Sequence, residues 1–376
     1  MPVVVLSALL HATIGWRVVP ALAHPWDIAF AALLVISASL LPVGLGARRI
    51  SRQPLADGLA AAGLWCLGLF SSLLVLTVLR DLGLLAVFGL DALVPGTVDA
   101  RAAARTSAIA VPLGALAVTL AGLFNARRIA SVVDVDVPID GLPAALHGFT
   151  IAQISDVHVG PTIKRRYLEA VVRAVNRLEA DLVAVTGDLV DGPVHRLAAH
   201  VEPLARLASR HGTFFVTGNH EYYSGVGPWV AELRRLGLRV LLNEHVVLER
   251  DGSAVVVAGV TDWSGHHYHE THRSDPHGAL RGAPTDAAVR VLLAHQPRSA
   301  PAAAAAGFDL QLSGHTHGGQ FWPWNWFVRF QQPFTAGLHR CQALWVYVSR
   351  GTGYWGPPKR LGAPSEITRL RLVPAA

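Results

Sequence analysis

At 376 residues the chain has room for two or three domains, but its 52% hydrophobic content and positive mean hydropathy are too apolar for a wholly soluble protein. The net charge of +6 comes from scattered Arg residues with no Lys/Arg run interleaved with aromatics, so nucleic acid is not an expected partner. Two cysteines, Cys66 and Cys341, exclude a disulfide framework.

From Met1 to Arg128 there is no Lys and no Glu, and the apolar excess concentrates there. A bilayer core takes about 20 apolar residues per helix. Ile28 to Leu45, Gly58 to Leu79 and Ser107 to Phe124 fit, and Pro2 to Ala21 is a fourth candidate interrupted by His11 and Arg17. Ala21-Leu22-Ala23 looks like a signal-peptidase site, yet no basic segment precedes the apolar run. Leu82 to Val94 is short and carries Asp91, which favours an interfacial or re-entrant segment over a span. Residues 1-128 are therefore expected to form an α-helical transmembrane domain of about four spans. Three uncharged runs of such length argue against a buried soluble helical domain.

Arg48, Arg49 and Arg52 precede the third span, and Arg127 and Arg128 follow the last. Two spans separate the clusters, so both lie on one side, predicted to be cytoplasmic. Arg80, Arg101 and Arg105 on the opposite loop weaken that bias. The expectation is an integral protein of the cell membrane with its C-terminal domain in the cytoplasm.

Residues 129-147 are read as a linker and edge strand, from the alternation Val132-Val133-Asp134-Val135-Asp136-Val137. From 148 to 376, short apolar runs alternate with helical patterns, which predicts an α/β domain with its site at strand C-terminal ends. Phe149 to Ile154 feeds Asp156 and His158, and Lys164 to Leu178 is helical. Leu182 to Thr186 feeds Asp188 and Asp191; Thr213 to Thr217 feeds Asn219, His220 and Glu221. Val289 to Ala294 feeds His295, Leu310 to Ser313 feeds His315 and His317, and Ala302 to Ala306 suits a helix.

Asp156 and His158, two apart on a chain leaving a strand, can face one cation, and Asp188 adds a carboxylate able to bridge two. Asn219 brings a neutral oxygen, and His295, His315 and His317 bring imidazoles. Carboxylate, amide oxygen and imidazole without thiolate suit Mn, Fe, Zn or Mg rather than a structural zinc site. Two such ions about 3.5 to 4 Å apart clamp a phosphoryl group and activate a bridging hydroxide.

Asp156-x-His158, Gly187-Asp188-x-x-Asp191, Gly218-Asn219-His220-Glu221, His295 and Gly314-His315-x-His317 together resemble the ordered motifs of calcineurin-like metallophosphoesterases. Gly314-His-Thr-His-Gly-Gly-Gln320, Ser349 to Gly353 and Pro357-Pro358-Lys359-Arg360 resemble the membrane-associated branch of that family. The resemblance implies a layered β-sandwich flanked by helices and a phosphoesterase with two divalent ions, Mn favoured. It implies one ion on Asp156, His158, Asp188 and His317, and the other on Asp188, Asn219, His295 and His315. It gives His220 contact with phosphate and assistance to the leaving oxygen, and Asp191 the orientation of a neighbouring histidine. The Arg that some protein phosphatases of the family carry after the first motif has no counterpart in Gly160-Pro161-Thr162. The expected substrate is a phosphoester, lipid-linked or nucleotide-linked, with membrane lipid as a second partner. The alternative is a non-catalytic membrane sensor or accessory protein that binds metal or nucleotide.

Three further features lie outside these motifs. Gly265 to Glu270 with His272 and His277 reads as a loop beside the site or an extra metal site. Phe321 to Phe330 suits a membrane interface or packing against the sheet. Lys359 and Arg360 read as exposed charge or as attractants for an anionic substrate.

Overall fold

The computed structural model describes residues 2–375, and it divides into two units: Met1–Arg127 with Gly356–Leu361, and Arg128–Trp355 with Gly362–Ala376. The first unit holds four helices, each long and apolar enough to cross a membrane: α1 (Pro2–Val18, continued as a 3-10 turn to Ala21), α2 (Trp26–Gly46), α3 (Leu55–Leu93) and α4 (Ala100–Arg127). Of the two readings of Leu82 to Val94, interfacial or re-entrant, the re-entrant one is corrected, because α3 runs unbroken over 39 residues. No proline interrupts it, and Leu, Ala and Val propagate the helix through Asp81 and Gly83.

Small and polar residues join these helices. A Cβ on Gly44 would lie 2.5 Å from the Gly63 Cα, so only paired glycines allow α2 and α3 to cross this closely. Buried His11 bonds Ser7 O at 2.8 Å through Nδ1 and Ser37 Oγ at 2.9 Å through Nε2, and stacks on Phe70 at 4.5 Å. Lys359 and Arg360, expected to be exposed, are buried in this unit. Lys359 Nζ donates to Gly68 O and Ser72 Oγ on α3, and a Cβ on Gly122 of α4 would strike its Cγ at 2.5 Å. The motif pattern places this stretch within the 148-376 domain; the structure groups Gly356–Leu361 with the helices.

In the second unit, β1 (Ser131–Ile139) is an edge strand, followed by β2 (Thr150–Ile154), α5 (Arg165–Asn176), β3 (Leu182–Val185), α6 (Val194–Val201) and β4 (Thr213–Phe215). Then come α7 (Asn219–Ser224), α8 (Val226–Arg235), β5 (Arg239–Val240), β6 (Glu244–Arg250), β7 (Ser253–Gly259) and α9 (Pro276–Ala279). The chain closes with β8 (Val289–Leu293), α10 (Ala300–Ala306), β9 (Leu310–Ser313), β10 (Gly337–Cys341), β11 (Leu344–Val348) and β12 (Glu366–Pro374). Two six-stranded sheets result, ordered β1-β12-β2-β3-β4-β5 and β10-β11-β9-β8-β7-β6. Ile151, Leu182 and Phe214 from the first sheet share one core with Val257, Val291 and Leu312 from the second. The amphipathic helix α5 buries Leu168, Val171, Val172 and Val175, and α10 packs on the second sheet through Ala300 and Ala303. This is the layered sandwich flanked by helices. In each sheet the strands that carry the motifs run parallel, so their C-terminal ends gather on one side.

Candidate metal centre

The loops after β2, β3 and β9 turn sharply. Of ten non-glycine residues with positive φ among the described residues, five are predicted ligand positions: Asp156, His158, Asp188, His315 and His317. Asp and His tolerate this region better than branched residues, but each still costs about 1–2 kcal/mol. The strain aims consecutive side chains at one point. Glycines make the space: a Cβ on Gly218 would sit 2.2 Å from Asp188 Oδ1, and one on Gly314 would sit 2.1 Å from Asp156 Oδ2.

Two clusters form. Asp156, His158 and His317 bring ligand atoms together, with His158 Nε2 3.0 Å from His317 Nε2 and His317 Nε2 3.4 Å from Asp156 Oδ1. Asp188, His295 and His315 form the other, with His295 Nε2 3.1 Å from Asp188 Oδ2 and 3.2 Å from His315 Nδ1. Asp188 Oδ2 also lies 3.9 Å from His158 Nε2, so this carboxylate stands between the clusters. Its Oδ1 accepts the His220 amide at 2.8 Å, and Asp156 accepts the His315 amide at 2.9 Å.

The other ring nitrogens fix the tautomers. His295 Nδ1 donates to Thr186 O at 2.7 Å and His158 Nδ1 donates to Asp191 Oδ1 at 2.9 Å, which leaves Nε2 of each ring as the nitrogen that faces inward to bind an ion. Asp191 Oδ1 also accepts from His220 Nδ1 at 2.6 Å. One carboxylate thus orients two rings.

A family model for calcineurin-like phosphoesterases matches residues 149–319. An uncharacterized metallophosphoesterase of Aquifex aeolicus is 36% identical over 219 residues, covering 58% of this chain and 82% of that protein. This chain belongs to the calcineurin-like metallophosphoesterase family. A Bos taurus transmembrane protein with metallophosphoesterase domain is 42% identical over 268 residues, which is 68% of this chain and 60% of that protein. The chain thus spans about three-fifths of the length of such curated relatives. A 5'-nucleotidase precursor from Thermus thermophilus superimposes with TM-score 0.39 at 16% identity, over 60% of this chain and 54% of that one. With its four apolar helices, this metallophosphoesterase is membrane-associated.

Members of the family bind two divalent metals, and the residues of this metallophosphoesterase fit that group. Among the described residues, the buried Asn219 Oδ1 finds no hydrogen-bond partner, an oxygen that an ion would satisfy. The electrostatics agree. Burial alone would raise the Asp188 carboxyl, but His295, His220 and His158 outweigh it and hold the group well below the usual carboxylate range. Burial opposes charge on His295, yet Asp188 and Asp156 raise it well above its ordinary value. His315 drops to about 3 through burial and the nearby His295. For His220, burial is outweighed by Asp188 and Asp191, and the ring rises to about 9.

Glu221 has no role in the motif reading. It is fully buried and accepts from the amides of Asp188, Leu189 and Gly218 at 3.0, 2.8 and 2.7 Å, tying the β3 and β4 loops together. A carboxylate immediately after Asn-His was the available signal. The histidines from His266 to His277 join no cluster of metal-binding geometry among the described residues; His266, His267 and His272 lie on 3-10 turns and His277 in α9. Phe321 is buried, whereas Trp322, Trp324, Trp326, Phe327 and Phe330 are exposed.

Proposed function

We propose that this protein hydrolyses a phosphoester or pyrophosphate bond at the membrane, using two divalent ions held by the two clusters. Asp156, His158, Asp188 and His317 would hold one, and Asp188, Asn219, His295 and His315 the other, with Mn favoured among Mn, Fe, Zn and Mg. The observation that carries this reading is the pair of facing clusters with Asp188 between them and an unsatisfied Asn219 oxygen beside them. When bound, the ions supply an activated water and neutralise phosphoryl oxygens. His220, held by Asp191, would stabilise the phosphate and give its Nε2 proton to the leaving oxygen. The catalytic domain would occupy 148-376 apart from Gly356–Leu361, after a helical domain at 1-128 and an edge strand within 129-147.

The substrate would be lipid-linked or nucleotide-linked. Membrane helices keep the enzyme near such molecules, and the exposed Trp and Phe side chains from Trp322 to Phe330, with Arg329 stacked 5.5 Å from the Phe330 ring, suit a head-group layer. The arginines flanking the spans favour a cytoplasmic catalytic domain in the cell membrane.

The test is hydrolysis of aryl phosphomonoesters and phosphodiesters by the full chain in nanodiscs with added Mn, comparing wild type with Asp188→Asn. Metal-dependent turnover that falls to background in the variant is expected. A folded, metal-loaded protein inactive on both ester types would overturn the reading in favour of a sensor or accessory role.

A further inference from the structure

His220 is flanked by aromatic rings that the proposed chemistry does not use. Tyr223 lies 5.1 Å from it, tilted at 59°, and Trp355 stands edge-on at 5.9 Å and 79°. Tyr268 extends the row, 5.8 Å from Tyr223 and 5.6 Å from Tyr222. Tyr223, Tyr268 and Trp355 keep 54%, 50% and 55% of their surface exposed. The adjacent Tyr222 is buried, its hydroxyl 2.9 Å from His272 Nδ1. Single exposed aromatics are ordinary on a surface. Two half-exposed rings that both contact the histidine assigned to proton donation, one of them continued by Tyr268, are not accounted for by that.

The row is also anchored from behind. Gln320, buried and held at φ 58°, donates through Nε2 to Trp355 O and accepts the Trp355 amide, both at 2.8 Å. The Tyr222–His272 bond anchors the turn that follows Tyr268. Rings fixed in this way while half-open offer π-faces whose ordering is complete before a ligand arrives, which favours stacking of a flat group.

We propose that Tyr223, Tyr268 and Trp355 form a wall beside His220 that binds an aromatic ring carried by the substrate phosphoester, a nucleobase or an aryl group. The proposal rests on the phosphoesterase reading for the position of the phosphate. It gives the Tyr-Tyr pair after the His220 motif and Gln320 after the last histidine motif a role in specificity: Tyr223 touches the substrate and Gln320 positions Trp355.

Calorimetry on the Mn-loaded full chain reads the wall without turnover, by comparing phenylphosphonate with cyclohexylphosphonate, equal in size and apolar but not aromatic. Wild type is expected to bind the phenyl compound about tenfold tighter. Tyr223→Leu and Trp355→Leu should each cut that preference to about twofold or less, while Tyr223→Phe keeps it. Equal affinities in wild type, or a preference that survives both Leu variants, would overturn the wall. A nucleoside 5'-phosphonate binding tighter than phenylphosphonate assigns the ring to a nucleobase, and the reverse order assigns it to an aryl group. A protein that prefers the phenyl compound yet hydrolyses no ester loses the phosphoesterase reading and keeps the wall.

Discussion

Left-handed backbone at Asp156, His158, Asp188, His315 and His317 is the residue-scale cause of the site, because it points neighbouring side chains inward from loops that must also reverse. Gly218 and Gly314 are its steric counterpart. Gly218→Ala places a Cβ against Asp188 Oδ1, so bound-metal content measured by atomic emission should fall while the helical far-UV signal is retained. Asp191 accepts from both His158 and His220; Asp191→Asn should lower kcat/KM by about 10–100-fold in a steady-state ester assay. The charge state of the metal-free site sets a pH dependence. Asp188 and Asp156 raise His295 well above the ordinary imidazole value, so at neutral pH the metal-free ring carries a proton that a bound cation must expel. Apparent Mn affinity should therefore rise with pH, and titration calorimetry in buffers of different ionisation enthalpy should show proton release. A buffer-independent heat would refute that charge state. These proposed ligand positions stand out in the sequence as residue types following apolar runs. The backbone strain, the tautomers and the Glu221 clamp do not, since each depends on atoms contributed by distant loops.

Elements show a different division. The strands feeding the motifs and the helices α5 and α10 were readable from short apolar runs and amphipathic spacing. The hairpin β6–β7 lies outside the motif-bearing runs, yet Asp251-Gly252 joins its strands, with φ of 49° and 80°, a turn signal of recognised type. A bilayer-length criterion divides helix α3, whereas helix propagation depends only on local propensity and the absence of a breaker. The Gly44–Gly63 crossing makes a separate prediction. Gly63→Leu inserts a side chain where even a Cβ meets backbone, and should destabilise the helical unit by about 1–3 kcal/mol, read as a lower thermal midpoint in detergent. An unchanged midpoint would mean that the helices separate without loss.

For the whole molecule, the two units differ in what solvates them. The four helices carry exposed Leu, Val, Ile and Phe along their length, as a lipid-facing surface does, while the α/β unit buries its apolar side chains between sheets. Reporter fusions after Arg128 and after Asp99 should give opposite sidedness, with Arg128 in the cytoplasm; an external Arg128 would reverse the proposed topology. The sequence by itself determined the two solvation regimes, the approximate spans and the motif set, because hydropathy and strand-end chemistry are written locally along the chain. Only the tertiary structure decided that Lys359 belongs among the helices, that Asp191 serves two histidines and that Tyr223 and Trp355 both contact the His220 ring, with Tyr268 against Tyr223. Those relations join residues far apart in the chain, and their energies arise from burial and hydrogen-bond partners that exist only once the chain has folded.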